Sequence, residues 1–212
     1  MTEPKYKLVY FNARGRAEPI RLVFAMLGIQ FEDHRIERQE WPALKPKTPT
    51  GRLPYLQVFQ SDGSSVSYDE SMAIARWLAK SYGLMGADDN EYYRIERIIG
   101  QCADVERELR GMFHAPNDEA KTNAVKKFKE DAGPRLLNLL SRSLADSGSK
   151  FVAGPKVTLG DLVFLATVDQ LTGQFTDLLK AQFPELLKHR EDVLHDQPTL
   201  EGYIKARPNT PR

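Results

Sequence analysis

One cysteine, Cys102, stands among the 212 residues. That excludes an intramolecular disulfide and any Cys-x-x-Cys redox or zinc motif. Its place in a helical apolar pattern reads as a half-buried packing residue rather than a catalytic thiol. No apolar run approaches the roughly 20 residues needed to cross a bilayer. The opening stretch, Met1 to Lys7, has no apolar core of the kind a secretory leader carries, so a cytoplasmic location is expected. Neither sign of charge dominates. Thirty Lys plus Arg face 29 Asp plus Glu, and the resulting +1 argues against a polyanion-binding protein, which would carry a strong basic excess. The four histidines, His34, His114, His189 and His195, are scattered without a metal-binding spacing, and no required metal is expected. What is present is ordinary for a folded globular chain: 41% hydrophobic and 28% charged residues.

The first eighty or so residues alternate between strand-like and helix-like stretches. Lys7 to Phe11 is a β-rich run that stops at the turn-like cluster Asn12-Ala13-Arg14-Gly15. Glu18 to Leu27 follows with helical apolar spacing, and Gly28 reads as its stop. Phe31 to Ile36 reads as a second strand. Trp41 to Pro46 reads as a short, irregular helix among Pro42, Pro46 and Pro49. Pro54 to Phe59 and Ser65 to Tyr68 form a hairpin around Ser61-Asp62-Gly63-Ser64. From Glu70 a helical stripe of Ala73, Ile74, Trp77 and Leu78 runs towards Gly83.

Beyond residue 87 the patterns become long and helical. Glu91 to Phe113 is one helix, Ala120 to Leu144 another with an interruption near Gly133-Pro134, and Leu159 to Leu171 a third. The chain is therefore expected to combine an α/β domain over residues 1–83 with an all-helical domain over 84–212. The β-α-β-α-β-β-α order of the first is that of a thioredoxin-type fold, without the cysteines such folds use for redox work.

Four local signals carry possible chemistry. Tyr10 sits at a strand end facing a helix start, where a phenolic hydroxyl and helix-terminus charge can act on one bound anion. Taken alone, such a tyrosine is most often a core-edge residue. In Thr50-Gly51-Arg52-Leu53-Pro54, a cis proline would present the Leu53 backbone to an extended peptide, while a trans proline would simply open a strand. Asp69-Glu70-Ser71 could cap a helix, or could hold an α-amino and α-carboxylate group. Trp41 and Lys45 lie four apart, so one helical turn could aim both at one ligand; alone, they read as a packing Trp and a solvated Lys. Thr158-x-x-Asp161 is a capping box ahead of an apolar run, a structural device rather than a catalytic one.

Together these residues resemble the sigma-class glutathione transferases. The resemblance rests on Tyr10, the run Arg14-Gly15-Arg16-Ala17-Glu18, Trp41-Pro42 with Lys45-Pro46, Gly51-Arg52-Leu53-Pro54, and Glu70 to Arg76. It continues through Glu91-Tyr92-Tyr93, Thr158 to Asp161 and the Arg207-Pro208 tail, covering essentially the whole chain. Within the class it is most similar to flatworm enzymes and to glutathione-dependent prostaglandin D synthases.

The resemblance implies that Tyr10 is catalytic and hydrogen-bonds the glutathione sulfur. Arg16, Trp41, Lys45, Arg52, Leu53, Pro54, Glu70 and Ser71 would complete the tripeptide site. Asp104 would reach glutathione bound to the partner subunit of a homodimer. Phe11, Gly111, Val163 and Thr167 would line the electrophile pocket. The implied activity is conjugation of glutathione, as co-substrate, to small hydrophobic electrophiles, with no nucleic-acid or membrane partner. The alternatives are glutathione-dependent isomerisation of prostaglandin H to prostaglandin D, with glutathione as a regenerated cofactor, and a non-catalytic carrier of hydrophobic ligands. Gly111 stands where the prostaglandin synthases tend to carry a bulky aromatic, which implies a more open pocket.

Overall fold

A computed structural model describes residues 5–210; the first four residues, which entered the reading for a leader, lie outside it. Contacts divide the chain into two units. One takes residues up to Tyr82 together with those from Gln197 onward, and the other runs from Gly83 to Asp196.

The first unit is built on a mixed four-stranded sheet of β1 (Lys5–Phe11), β2 (Phe31–Ile36), β3 (Tyr55–Phe59) and β4 (Ser65–Asp69), in the order β2-β1-β3-β4. β1 pairs parallel with β2 and antiparallel with β3, and β3 pairs antiparallel with β4. The parallel pair needs a crossover, supplied by α1 (Glu18–Leu27). Gly28 ends that helix in the left-handed conformation, with φ 64°, as a C-terminal glycine should. Tyr6 and Tyr10, on one face of β1, meet Phe24 and Arg21 of α1. Leu8, Val9, Ile20, Leu22, Val23, Phe24 and Leu56 are fully enclosed and form the core there.

The irregular helix expected over 41–46 is a short α2 (Trp41–Leu44) flanked by 3-10 turns at Arg38–Glu40 and Lys45–Lys47. After β4 comes α3 (Ser71–Ser81). Its buried stripe is Ile74, Ala75, Leu78 and Ala79; Ala73, assigned to that stripe from spacing, faces solvent.

The second unit is helical. It comprises α4 (Asp89–Phe113), α5 (Asp118–Lys127), α6 (Gly133–Ser147), α7 (Leu159–Leu171), α8 (Thr176–Gln182) and α9 (Pro184–Asp196). A π-helical turn, Phe128–Ala132, joins α5 to α6, so Gly133-Pro134 opens a helix instead of interrupting one. α7 is apolar almost all round, as a central helix must be, and packs against α4 and α9. Asp161 is wholly buried within it. Its carboxylate closes the capping box by accepting from the Thr158 N–H and hydroxyl, both at 2.8 Å, and it also accepts from the Val152 N–H at 2.9 Å. His189 of α9 comes to 3.0 Å of the same carboxylate. The last helix, α10 (Pro198–Ala206), had been expected to stay with the helical domain. It packs instead on α1 in the first unit, where Leu200 is buried and the Thr199 hydroxyl reaches the Met26 carbonyl at 3.4 Å.

Candidate active site

The chemistry-bearing residues of the first unit gather where β1 ends and α1 begins. Tyr10, second from the end of β1, turns its ring towards α1. Its hydroxyl oxygen accepts the backbone N–H of Arg16 at 3.2 Å. Arg16 lies in the 3-10 turn Gly15–Ala17, which runs straight into α1, so the oxygen sits at a helix start with its partial positive charge. Because the phenol oxygen already accepts a hydrogen bond, its own hydrogen is left to donate to a ligand. Gly15 makes this approach possible. It has φ 41°, and a Cβ built there would lie 2.7 Å from the Tyr10 hydroxyl oxygen.

Arg21 holds the turn from below. It is fully buried, and its Nη1 donates to the carbonyls of Ala13 at 2.8 Å and Arg14 at 3.2 Å. Its Nε donates to Asp33 at 3.0 Å, which also receives Arg35 at 2.8 Å. A buried guanidinium needs such partners, and here backbone carbonyls and carboxylates supply them to Nε and Nη1, while the buried Nη2 has none. The guanidinium carbon lies 5.9 Å from the centre of the Tyr10 ring. Gly15 entered the sequence reading only as part of a turn and of the run that carries the resemblance, and Arg21 did not enter it. The signal for Arg21 was a lone charge between Ile20 and Leu22, inside an otherwise apolar helix.

Phe11 continues the site outward as a row of edge-to-face rings, 5.6 Å from Tyr10 and 5.8 Å from Trp41. Trp41 and Lys45 share one turn, since the Lys45 N–H bonds the Trp41 carbonyl. The Lys45 side chain lies along Gly51, which has φ 68°. The Leu53–Pro54 peptide is cis. Ladder pairing of β3 begins at Tyr55, which leaves the Leu53 backbone outside the sheet.

Glu70 does not cap α3 with its side chain, contrary to the plain reading of Asp69-Glu70-Ser71. Its backbone has φ 62° and ψ 103°, a conformation costly for a residue with a Cβ, and it alone among described non-glycine residues has a positive φ. Its exposed carboxylate stands 3.3 Å from Arg52, so it faces outward at the α3 N-terminus beside Ser71.

The remaining sequence candidates lie in the second unit. Asp104 is half-buried on α4 and pairs with Arg107 at 2.9 Å. Gly111 is exposed near the end of α4 with open space at its Cβ position. Val163 and Thr167 were expected in a ligand pocket, but both are buried in α7, and the Thr167 hydroxyl bonds the Val163 carbonyl at 3.0 Å. Cys102 is completely buried, not half-buried, and burial pushes its thiol pKa up to about 12. Among the described residues no helix is long and apolar enough to cross a membrane. No group of three or more His, Cys, Asp or Glu among them could hold a metal.

Comparison with known proteins places this geometry. Residues 6–80 match the glutathione S-transferase N-terminal domain, and residues 103–207 match the C-terminal domain of the same family. The chain belongs to the glutathione S-transferase family. It is 42% identical over 205 residues to the glutathione S-transferase class-mu 28 kDa isozyme of Schistosoma mansoni, covering 97% of each chain. The Fasciola hepatica sigma class GST superposes with a TM-score of 0.94 at 44% identity, covering 99% of each chain. The hematopoietic prostaglandin D synthase of Gallus gallus is 36% identical, covering 98% of each. The thioredoxin-like first unit and the helical second unit are those of this glutathione transferase family.

Proposed function

We propose that this transferase conjugates the thiolate of glutathione to small hydrophobic electrophiles, with Tyr10 as the group that activates the thiol. The observation that carries the reading is the Arg16 N–H to Tyr10 hydrogen bond, which orients the phenol to donate outward. A free thiol with pKa near 8.5 is only about 3% ionised at pH 7, and lowering that pKa by about two units requires roughly 2.7 kcal/mol. One charge-assisted hydrogen bond contributes about 1.5–3 kcal/mol, and the helix start adds to it. The two together are of the right size.

The rest of the tripeptide would extend along the residues around Tyr10. Trp41 and Lys45 would take the glycyl carboxylate, the free Leu53 backbone beside Pro54 the cysteinyl part, and Glu70 with Ser71 the γ-glutamyl end. Arg16 and Arg52 add positive charge for the carboxylates. Phe11 offers the apolar surface against which an electrophile would approach the sulfur. We assign the protein to the cytoplasm and to a homodimer in which Asp104 reaches the partner's glutathione. The exposed rings of Tyr92 and Tyr93 on α4 favour a partner surface. A monomer in sedimentation at micromolar concentration would refute the shared site.

The deciding experiment is chlorodinitrobenzene conjugation by the wild type and by Tyr10→Phe, which keeps the ring and removes the hydroxyl. A fall of about tenfold or more, near 1.4 kcal/mol, is expected, with glutathione binding nearly intact. Equal activity would overturn the assignment of Tyr10. Prostaglandin isomerisation is the second reading, favoured by the 36% identity to a protein bearing that name. It is distinguished by product formation without net loss of glutathione.

A further inference from the structure

Glu18, at the first position of α1, is a carboxylate with almost no exposure. Three residues converge on it. Arg207 donates to it at 2.6 Å, the Tyr203 hydroxyl at 3.3 and 3.2 Å, and Arg21 Nη1 stands at 3.4 Å. The Arg207 side chain is itself only 10% exposed. Burial, with Glu18 second, raises the Tyr203 hydroxyl pKa further above the ordinary range, so it stays a neutral donor.

Arg21 Nη1 is oversubscribed. A guanidinium terminal nitrogen carries two hydrogens, yet this one faces three acceptors, Glu18, the Ala13 carbonyl and the Arg14 carbonyl, while the adjacent Nη2 is buried with no partner, so the group is set for the carbonyls and not for Glu18. It now lies closest to Ala13, at 2.8 Å. Arg207 and Tyr203 satisfy Glu18 from the other side, which leaves Nη1 for the two carbonyls. Those carbonyls immediately precede Gly15 and Arg16, the residues that set the Tyr10 hydroxyl. A direct tie lies alongside, from the Arg14 guanidinium to the Thr210 carbonyl at 3.5 Å.

We propose that Tyr203 and Arg207 are positioning residues for thiol activation, acting through Glu18 and Arg21 on the backbone turn that fixes the Tyr10 hydroxyl. The inference rests on the reading of Tyr10 as the thiol-activating group. Without Arg207, Glu18 draws the whole Arg21 guanidinium, whose Nη2 hydrogens are unspent, towards itself and away from the Ala13 carbonyl; the turn then relaxes, and the Arg16 N–H no longer holds the phenol oxygen. α10 keeps separate anchors on α1 in Leu200 and Thr199, so changes at Tyr203 and Arg207 leave the helix docked.

The test uses Arg207→Met, Arg207→Lys and Tyr203→Phe in the full chain, with Tyr10→Phe alongside. It measures kcat, glutathione affinity, the ultraviolet pH titration of the bound thiolate, and thermal unfolding. In Arg207→Met, kcat is expected to fall about tenfold. The bound-thiol pKa should rise by about one unit, and glutathione affinity should change less than about twofold. Arg207→Lys should restore most of the loss, and Tyr203→Phe should move the titration in the same direction by a smaller amount. An unchanged titration in folded Arg207→Met and Tyr203→Phe, whatever their melting temperatures, would reduce the tail to a structural brace and overturn the proposal. If Arg207→Met fails to fold, Tyr203→Phe, which loses one oxygen, decides alone. A Tyr10→Phe titration identical to wild type would sink the parent reading instead.

Discussion

Replacing Gly15 by alanine should disable the site by displacing the Tyr10 hydroxyl alone, leaving the other proposed ligand contacts in place. The new Cβ would stand 2.7 Å from the Tyr10 hydroxyl oxygen, 3.1 Å from its Cε1 and 3.3 Å from its Cζ. Ordinary contact begins at 3.4 Å, so the oxygen must retreat by about 0.7 Å. Its bond to the Arg16 N–H is already 3.2 Å, at the long end of the normal range, and a retreat of that size breaks it. The backbone adds a second cost, because φ 41° lies in the left-handed region, worth about 1–2 kcal/mol for an L-residue. Gly15→Ala should therefore lose about tenfold in conjugation of chlorodinitrobenzene. It should also lose about 1–2 kcal/mol of stability in urea unfolding. The diagnostic is the cycle with Tyr10→Phe. Once the hydroxyl is gone the worst clash goes with it, so the double variant should be little less active than either single one. Full activity in Gly15→Ala would refute the reasoning, and so would losses that simply multiply in the double variant.

Glu70→Gly should raise the melting temperature slightly, by relieving a backbone cost of about 1–3 kcal/mol offset in part by glycine's greater chain entropy, while weakening glutathione binding in calorimetry. Its ion pair with Arg52 is exposed and adds at most about 1 kcal/mol, so unchanged affinity would remove Glu70 from the site. With its thiol pKa pushed up to about 12, Cys102 is about one part in ten thousand thiolate at pH 8. Iodoacetamide should therefore spare it in the folded protein and label it in urea, and rapid native labelling seen by mass spectrometry would contradict the burial. The same shift has a sign for stability: the folded pKa lies above the unfolded value near 8.5, so this contribution is complete below pH 8.5 and declines as pH rises further. Asp161→Ala should cost about 3–5 kcal/mol in unfolding because it strands the Val152 and Thr158 donors, and a loss under about 1 kcal/mol would count against that account.

The sheet and the long helices were legible because their signals are local. Phe31 to Ile36, Glu18 to Leu27 and Leu159 to Leu171 carry their own periodicity and their own stops, and the structure reproduces those bounds. The Thr158–Asp161 box could be read for the same reason, though its junction with Val152 and His189 could not. Errors arose where tertiary contact overrides pattern. Ala73 fits a helical stripe but faces solvent, and residues 198–206 read as one more helix of a helical domain although they pack on α1. For Val163 and Thr167, the pocket role rests on resemblance alone, because no local feature distinguishes a pocket wall from the buried face of an all-round apolar helix. The isomer of Pro54 and the φ of Glu70 are backbone states that residue type does not dictate.

Three departures from ordinary local rules fall within the first unit: glycine at φ 41° under a tyrosine hydroxyl, glutamate at φ 62°, and a fully buried arginine in an apolar helix. Each would be a liability in a domain selected for stability alone. They share a consequence. Gly15 lets the phenol oxygen reach a backbone N–H, Arg21 holds the turn that carries that N–H, and the strained Glu70 turns a carboxylate outward where a cap would have drawn it in. The buried charge is compensated in turn by Glu18 and Asp33, and Glu18 by Arg207. A site of the kind proposed for Tyr10, holding a thiolate, would need rigid donors already in place before the ligand arrives, because a donor that has to be reoriented gives back the energy it contributes. On the proposed reading, the ion network from Arg207 to Asp33 would supply that rigidity, and charges far from the sulfur lie on the same chain of contacts as the hydroxyl that would touch it.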